Sequence, residues 1–386
     1  MIESAASDLA YHGLNIAEHY GAEYADVRVA RYRRQELACE DERVKSIVDS
    51  EDMGFGIRLI AKGAWGFAAS SVMTKEEIER TAKLAVHTAL AAASSLHDPV
   101  RLTVEPSRRG DFSSTCEVNP FAVPIERKVG LLLQINHRLL SHRAIKKAES
   151  HMIFRRDERL FASSEGALLK SDLFVTAATY RATAVEERDA QSRTYAPPPL
   201  AKGYENIDEN ALLANCDRVA EEAIAKLHAK EIPFAPRELI LDPHNLALTI
   251  HESVGHATEL DRVLGMEESL AGRSFATPEK LHTFRYGSAL VNFVADNTLP
   301  CGLATWGFDD DGVEGQSWLI VEDGIFRGYS TSREVAGKIG LERSTGSCRA
   351  DHWSSIPIVR IPNLSLAPGR LPLSLEELIA DTDDGI

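Results

Sequence analysis

The 386-residue chain has no apolar run of the roughly 18 residues that a membrane-crossing helix requires, which excludes such a helix. Cysteine is scarce: Cys39, Cys116, Cys216, Cys301 and Cys348 are odd in number, scattered, and form no Cys-x-x-Cys pair. That spacing excludes a disulfide framework or a zinc knuckle and suits reduced thiols in a cytoplasm. Positive charge is also in deficit. With 43 Lys and Arg against 58 Asp and Glu, the net charge is -15, so the average surface repels a phosphate backbone and nucleic acid is not expected as the direct partner. The N-terminus is acidic and amphipathic, lacking a basic start and an apolar signal core, so export is not expected. Aromatics make up only 7%, and neither an internal repeat nor a low-complexity tract stands out. What remains is ordinary globular composition, 44% hydrophobic and 26% charged, in a chain long enough for two or three domains.

Hydrophobic periodicity divides the chain. Residues 3–20 have helical spacing. From Asp26 to Ser71 apolar and polar residues alternate and break at Gly54, Gly56, Gly63 and Gly66, which predicts an antiparallel meander of short strands. Thr74 with Glu77 three residues on predicts a capping box opening a helix to Ala93, and another helix is expected over 125–144. Residues 146–187 return to alternation over about four short strands, the Pro- and Gly-rich 194–208 stretch predicts a loop, and 209–229 a helix. "EIPFAPREL" reads either as a long surface loop inside one domain or as a crossing between domains, the latter giving an N-terminal α+β domain over 1–232 and a second domain over 233–386. In the second, 238–242 is expected to be a strand, His244 to about Leu260 a helix, "LVNFVAD" a strand, 332–340 a short helix, and "SWLIVEDGIFRGYS" a hairpin turning on Asp323-Gly324. Strands and helices that do not strictly alternate favour an α+β class, with the C-terminal domain mostly antiparallel β.

The stretch "TIHESVGHATELD", Thr249 to Asp261, carries the chemistry. In a His-Glu-x-x-His helix the histidines are four apart and share one face. Here His251 and His256 are five apart, which on a regular helix rotates them by about 140° from one another. Two readings follow. If the helix bulges at Gly255, a residue that costs about 1 kcal/mol in a helix interior, both imidazoles reach one ion and Glu252 is placed to deprotonate an activated water. If it does not, Glu252, His256 and Glu259 form an ordinary polar stripe. The acidic Asp309-Asp310-Asp311-Gly312 loop lacks calcium-loop alternation and reads as a solvated turn, and Arg33-Arg34 and Arg155-Arg156 as surface charges.

The motif, followed by "GRSFATPEKL", "DDDGVEGQSWLIVEDGIFRGYSTSREVA" and "IPIVRIPNLSLAPG", resembles the TldD/PmbA family, and specifically its TldD branch, which carries His-Glu-x-x-x-His. The resemblance implies a zinc-dependent metallopeptidase subunit, a hydrolase that degrades unfolded or extended peptides within a homodimer or a heterodimer with a PmbA-like subunit. His251 and His256 match its metal ligands and Glu252 its catalytic carboxylate. The family label "modulator of DNA gyrase" does not suit so acidic a chain. The family's third ligand is a cysteine beyond "LEELIADTDDGI", where this chain stops, so the resemblance implies truncation at Ile386 and an incomplete C-terminal domain. Cys301 and Cys348 lie C-terminal to the motif and could offer a replacement thiolate, but each reads more simply as a small buried residue or a loop thiol. The alternative function is a non-catalytic peptide-binding or assembly subunit, poor in metal for want of that cysteine.

Overall fold

The computed structural model describes residues 4–187 and 189–386. The fold is α+β, as the irregular order of elements predicts. Helix α1 (Ser4–His19) buries Ala6, Ala10, Leu14 and Ala17, a stripe at helical spacing. Strands β1 (Tyr24–Glu40), β2 (Arg43–Ala61) and β3 (Ala64–Ser70) form an antiparallel meander, and helix α2 (Lys75–Ala93) packs on it. That approach is so close that a Cβ on Gly66 would meet the Ala85 carbonyl oxygen at 2.0 Å. Strand β4 (Arg109–Ser113) and helix α3 (Ile125–Leu140) lead to β5 (Ile145–Ser163), β6 (Leu168–Glu186) and β7 (Asp189–Tyr195). The sheet runs β3-β2-β1-β5-β6-β4 with β7 also on β6, antiparallel except for β4. Helices α4 (Glu209–Ala214) and α5 (Cys216–Leu227) follow.

Several expectations need correction. The strands are long, not short: β2, β5 and β6 each run 19 residues. Gly54 and Gly56 do not break β2. They clear its face for Trp353, whose ring lies 2.4 Å and whose carbonyl oxygen 2.5 Å from where their Cβ atoms would be. At α2, Thr74 accepts the Glu77 N–H, but the Glu77 carboxylate is taken by Ser70 and Arg80, so only half of the capping box forms. The expected 209–229 helix is interrupted at Asn215.

Beyond residue 240 come α6 (Pro243–Ile250), α7 (Leu260–Val263), α8 (Glu268–Ala271), β8 (Phe293–Asp296), β9 (Ser317–Glu322) and β10 (Ile325–Phe326). Then follow α9 (Arg333–Ala336), β11 (Cys348–Arg349), β12 (Ile358–Val359), β13 (Leu364–Leu366) and α10 (Leu375–Ala380). An antiparallel sheet ordered β10-β9-β8-β13 closes over Val254, Leu260, Phe293, Ile320, Phe326 and Tyr329. Asp323 and Gly324 both take positive φ, 47° and 75°, as a two-residue hairpin turn of this twist requires. The expected strand at 238–242 is instead a single bridge, Glu238 pairing with Gly385.

Alternation along β1 explains how the two sheets meet. Val27 and Val29 face α1 and α2 in one apolar layer, which leaves Asp26 and Arg28 on the other face. That face is buried too, and it is ionic. Arg58 bridges Asp26 and Asp311, 2.8 and 2.7 Å away. Arg159 reaches Asp310 at 3.2 Å, and Arg333 pairs in bidentate fashion with Glu165. The loop read as a solvated turn is therefore wrong in one respect: Asp309, Asp310 and Asp311 are 4–7% exposed and plug this face. Asp309 organises the loop by accepting the N–H groups of Asp311, Val313 and Cys348. Burial and the neighbouring Asp311 push the Asp309 carboxyl well above its usual range; burial also opposes ionisation of Asp311, but Arg58 and Arg333 hold it below.

Candidate metal centre

Helix α6 starts cleanly. Asp242 accepts the His244 N–H at 2.8 Å, with Pro243 in the first turn. It does not run on to Leu260. His251–Gly255 form one π-helical turn closed by the His256 N–H on the His251 carbonyl, and His256–Thr258 tighten into a 3₁₀ turn. Gly255 lies close against Ile361: a Cβ there would meet Ile361 Cδ1 at 2.9 Å, and that side chain would have to shift. Thr258 Oγ1 donates to the Val254 carbonyl, and the Ser330 backbone donates its N–H to the Thr258 carbonyl and accepts the Leu260 N–H, fixing the exit of this segment.

The wide turn brings the two imidazoles together. Their Nε2 atoms are 3.1 Å apart, with rings perpendicular and centroids separated by 4.6 Å. One donor atom from each of His251, Glu252 and His256 lies within 4.8 Å of the others, the one such grouping among the described residues. Cys301 and Cys348 are not in it. Cys348 is buried beside Asp311, its thiol pushed up by burial and by that carboxylate.

Behind the pair is a carboxylate that an unbroken helix would put only in a polar stripe. Glu259, fully buried, lies 2.8 Å from His256 Nδ1 and 3.1 Å from Arg262, which also reaches Glu267. With Glu259 ionised, the contact favours a proton on Nδ1, which Arg262 also approaches at 3.3 Å, and leaves Nε2 facing His251. Burial raises Glu259 to about 7 against the pull of Arg360 and Arg262. Burial also lowers both histidines, aided at His251 by His256 and at His256 by Arg262 and Arg360, so both favour the neutral form that binds metal.

These residues fit a zinc ion. Two nitrogens at about 2.0–2.1 Å in tetrahedral geometry lie roughly 3.3–3.4 Å apart, so the observed gap needs to open by only a few tenths of an ångström. Two imidazole nitrogens this close must share a proton or a cation.

The family model described as the PmbA/TldA metallopeptidase C-terminal domain matches residues 237–386, and that of PmbA/TldA metallopeptidase domain 1 matches 25–89. The chain belongs to the TldD/PmbA family. A metalloprotease of Methanocaldococcus jannaschii is 29% identical over 94% of this chain and 77% of its own length. The TldD/PmbA relative from Saccharolobus solfataricus named a zinc metalloprotease TldD homolog is 25% identical over 96% and 77%. A Bacteroides thetaiotaomicron structure under the modulator-of-DNA-gyrase label superposes with a TM-score of 0.79 at 16% identity, covering 100% of this chain and 82% of that one. TldE from Thermococcus kodakarensis gives 0.69 at 17%, covering 98% and 81%. At these identities both structures bear on the fold, and the TldD/PmbA fold is the one seen here.

Proposed function

We propose that this chain is a zinc metallopeptidase subunit acting on unfolded or extended peptides. The observation that carries the reading is the 3.1 Å convergence of His251 and His256 across the π-turn, with Glu252 beside them. The names of its relatives support the reaction class. His251 and His256 would hold the zinc, which supplies Lewis acidity toward a carbonyl oxygen and toward water. Glu252, exposed next to the pair, accepts a proton from the attacking water and returns it to the leaving amine. Glu259 and Arg262 act behind His256, holding its tautomer and ring orientation.

The same reading places the domain division near residue 232 and the protein in the cytoplasm, with its five thiols unpaired. It assembles as a homodimer or with a PmbA-like subunit. Helix α6 buries none of its side chains fully, and Leu248 is 67% exposed, which gives a second subunit a surface to cover. No helix among the described residues is long and apolar enough to cross a membrane.

The test is Glu252→Gln. It should abolish cleavage of an unfolded-protein substrate while zinc content is kept; undiminished turnover rules out the assigned base. The second reading, a non-catalytic binding or assembly subunit, is favoured by one feature: only two imidazoles and one carboxylate converge among the described residues. Protein purified without added metal separates the two, since stoichiometric zinc excludes the second.

A further inference from the structure

We propose that the arginine-lined cleft between β5 and the β11–β12 segment seats a carboxylate of the peptide substrate. This rests on the peptidase reading above and names the chemistry its substrate must carry. The cleft has a volume of about 470 Å³, and Arg155, Arg159, Arg349 and Arg360 line it with Trp306, against one acidic side chain, Asp351. In a chain of net charge -15 that concentration of guanidinium is out of character.

Two of the four arginines are already committed. Arg155 is paired with Asp157, and Arg159 with Asp310 at 3.2 Å. The other two have no carboxylate in salt-bridge contact among the described residues, though Arg360 pulls on Glu259 at longer range. Arg349 gives one N–H to the Ile361 carbonyl. Trp306 holds the group in place, its ring 3.9 Å from the Arg159 guanidinium carbon and 5.6 Å from that of Arg349. Burial, together with the like charges of Arg159 and Arg360, lowers Arg349 to about 10 against the longer-range pull of Asp310 and Asp309, so it stays charged at neutral pH with no carboxylate in salt-bridge contact among the described residues. A half-buried guanidinium in that state is completed by an anion, and a carboxylate fits its fork with two parallel hydrogen bonds.

Position ties the cleft to the metal centre. Ile361, next in sequence to Arg360, packs on Gly255 within the π-turn, and the Val359 N–H donates to Asp261 at 2.9 Å, five residues beyond His256. A peptide whose backbone passes the histidines can therefore lodge a carboxylate against Arg360 and Arg349. That carboxylate belongs either to an acidic side chain or to the C-terminus.

The experiment measures binding to the Glu252→Gln protein, where turnover does not intervene. Three fluorescein-labelled versions of one extended peptide are compared: one with an internal aspartate and a free C-terminus, one amidated at the C-terminus, and one with asparagine for the aspartate. We expect loss of the recognised carboxylate to weaken binding about tenfold, an effect of the size expected for charge-assisted pairing. Added Arg360→Gln or Arg349→Gln should erase that preference while leaving the neutral peptide's affinity unchanged. A drop on amidation identifies the C-terminus, a drop with asparagine identifies the side chain, and either supports the proposal. Equal binding of all three peptides, or a preference that survives both substitutions, overturns it. Arg360 is exposed, so its variant tests the idea even where Arg349→Gln perturbs folding. A carboxylate preference without cleavage by the unsubstituted protein sinks the peptidase reading and keeps the seat; cleavage without preference does the reverse.

Discussion

Arg58 on β2 and Asp311, more than 250 residues later, meet at 2.7 Å inside the protein, each at most 5% exposed. The same guanidinium holds Asp26 on the neighbouring strand. Arg58→Met would strand both carboxylates in a buried layer, and removing one partner of such a pair costs about 3–5 kcal/mol. Urea denaturation of the purified variant checks this. A loss below about 1 kcal/mol would mean that the acids find other partners.

Glu259 presents its Oε2 to His256 Nδ1 at 2.8 Å. Glu259→Gln should keep the fold and weaken zinc binding about 10- to 100-fold, the usual effect of removing a carboxylate behind a ligating histidine. Competition with a chromophoric chelator reads the affinity directly. An unchanged constant would show that His256 needs no such support.

Gly255→Ala sets two effects against each other. Alanine gains about 1 kcal/mol of helical preference over glycine, while overpacking against Ile361 costs about 1–3 kcal/mol. With the contact at 2.9 Å, net destabilisation is expected. In an Ile361→Ala background the clash disappears, and the same substitution should become neutral or stabilising. Thermal melts of the four proteins in this double-mutant cycle give the coupling, and additivity would refute the contact as the reason for glycine.

Asp261 is raised from 3.8 to about 6, chiefly by burial. The folded protein thus binds this proton more tightly than the unfolded chain does, so its contribution to stability grows as pH falls from about 6 toward 4 and is flat on either side. The slope is at most about 1.4 kcal/mol per pH unit. Asp261→Asn removes it: over that window the unsubstituted protein should gain on the variant with each step down in pH. Parallel stability curves would show that Asp261 titrates normally.

Local signals in the sequence were legible where the structure is local. The Asp323-Gly324 turn, the helix before His251 and the alternation of β1 all follow from neighbours within a few residues. The family motif likewise pointed to the histidines. What was not legible depends on partners far along the chain. The three aspartates at 309–311 look solvated until Arg58, Arg159 and Arg333 are known to face them. Gly54 and Gly56 look like strand breaks because Trp353 lies some 300 residues away. Arg349 and Arg360, separated by a loop and unremarkable singly, become a pair only once β11 and β12 align. Asn215 gave no warning of the break between α4 and α5, since its neighbours all tolerate a helix.

The π-turn at His251–Gly255 separates distance along the chain from direction in space. One surplus residue, absorbed where the coil is widest, swings a side chain from the far side of a rod to the near side while both ends of the rod stay put. A binding site can therefore arise by insertion as readily as by exchange of one amino acid for another, and a five-residue interval between imidazoles can do the work of four.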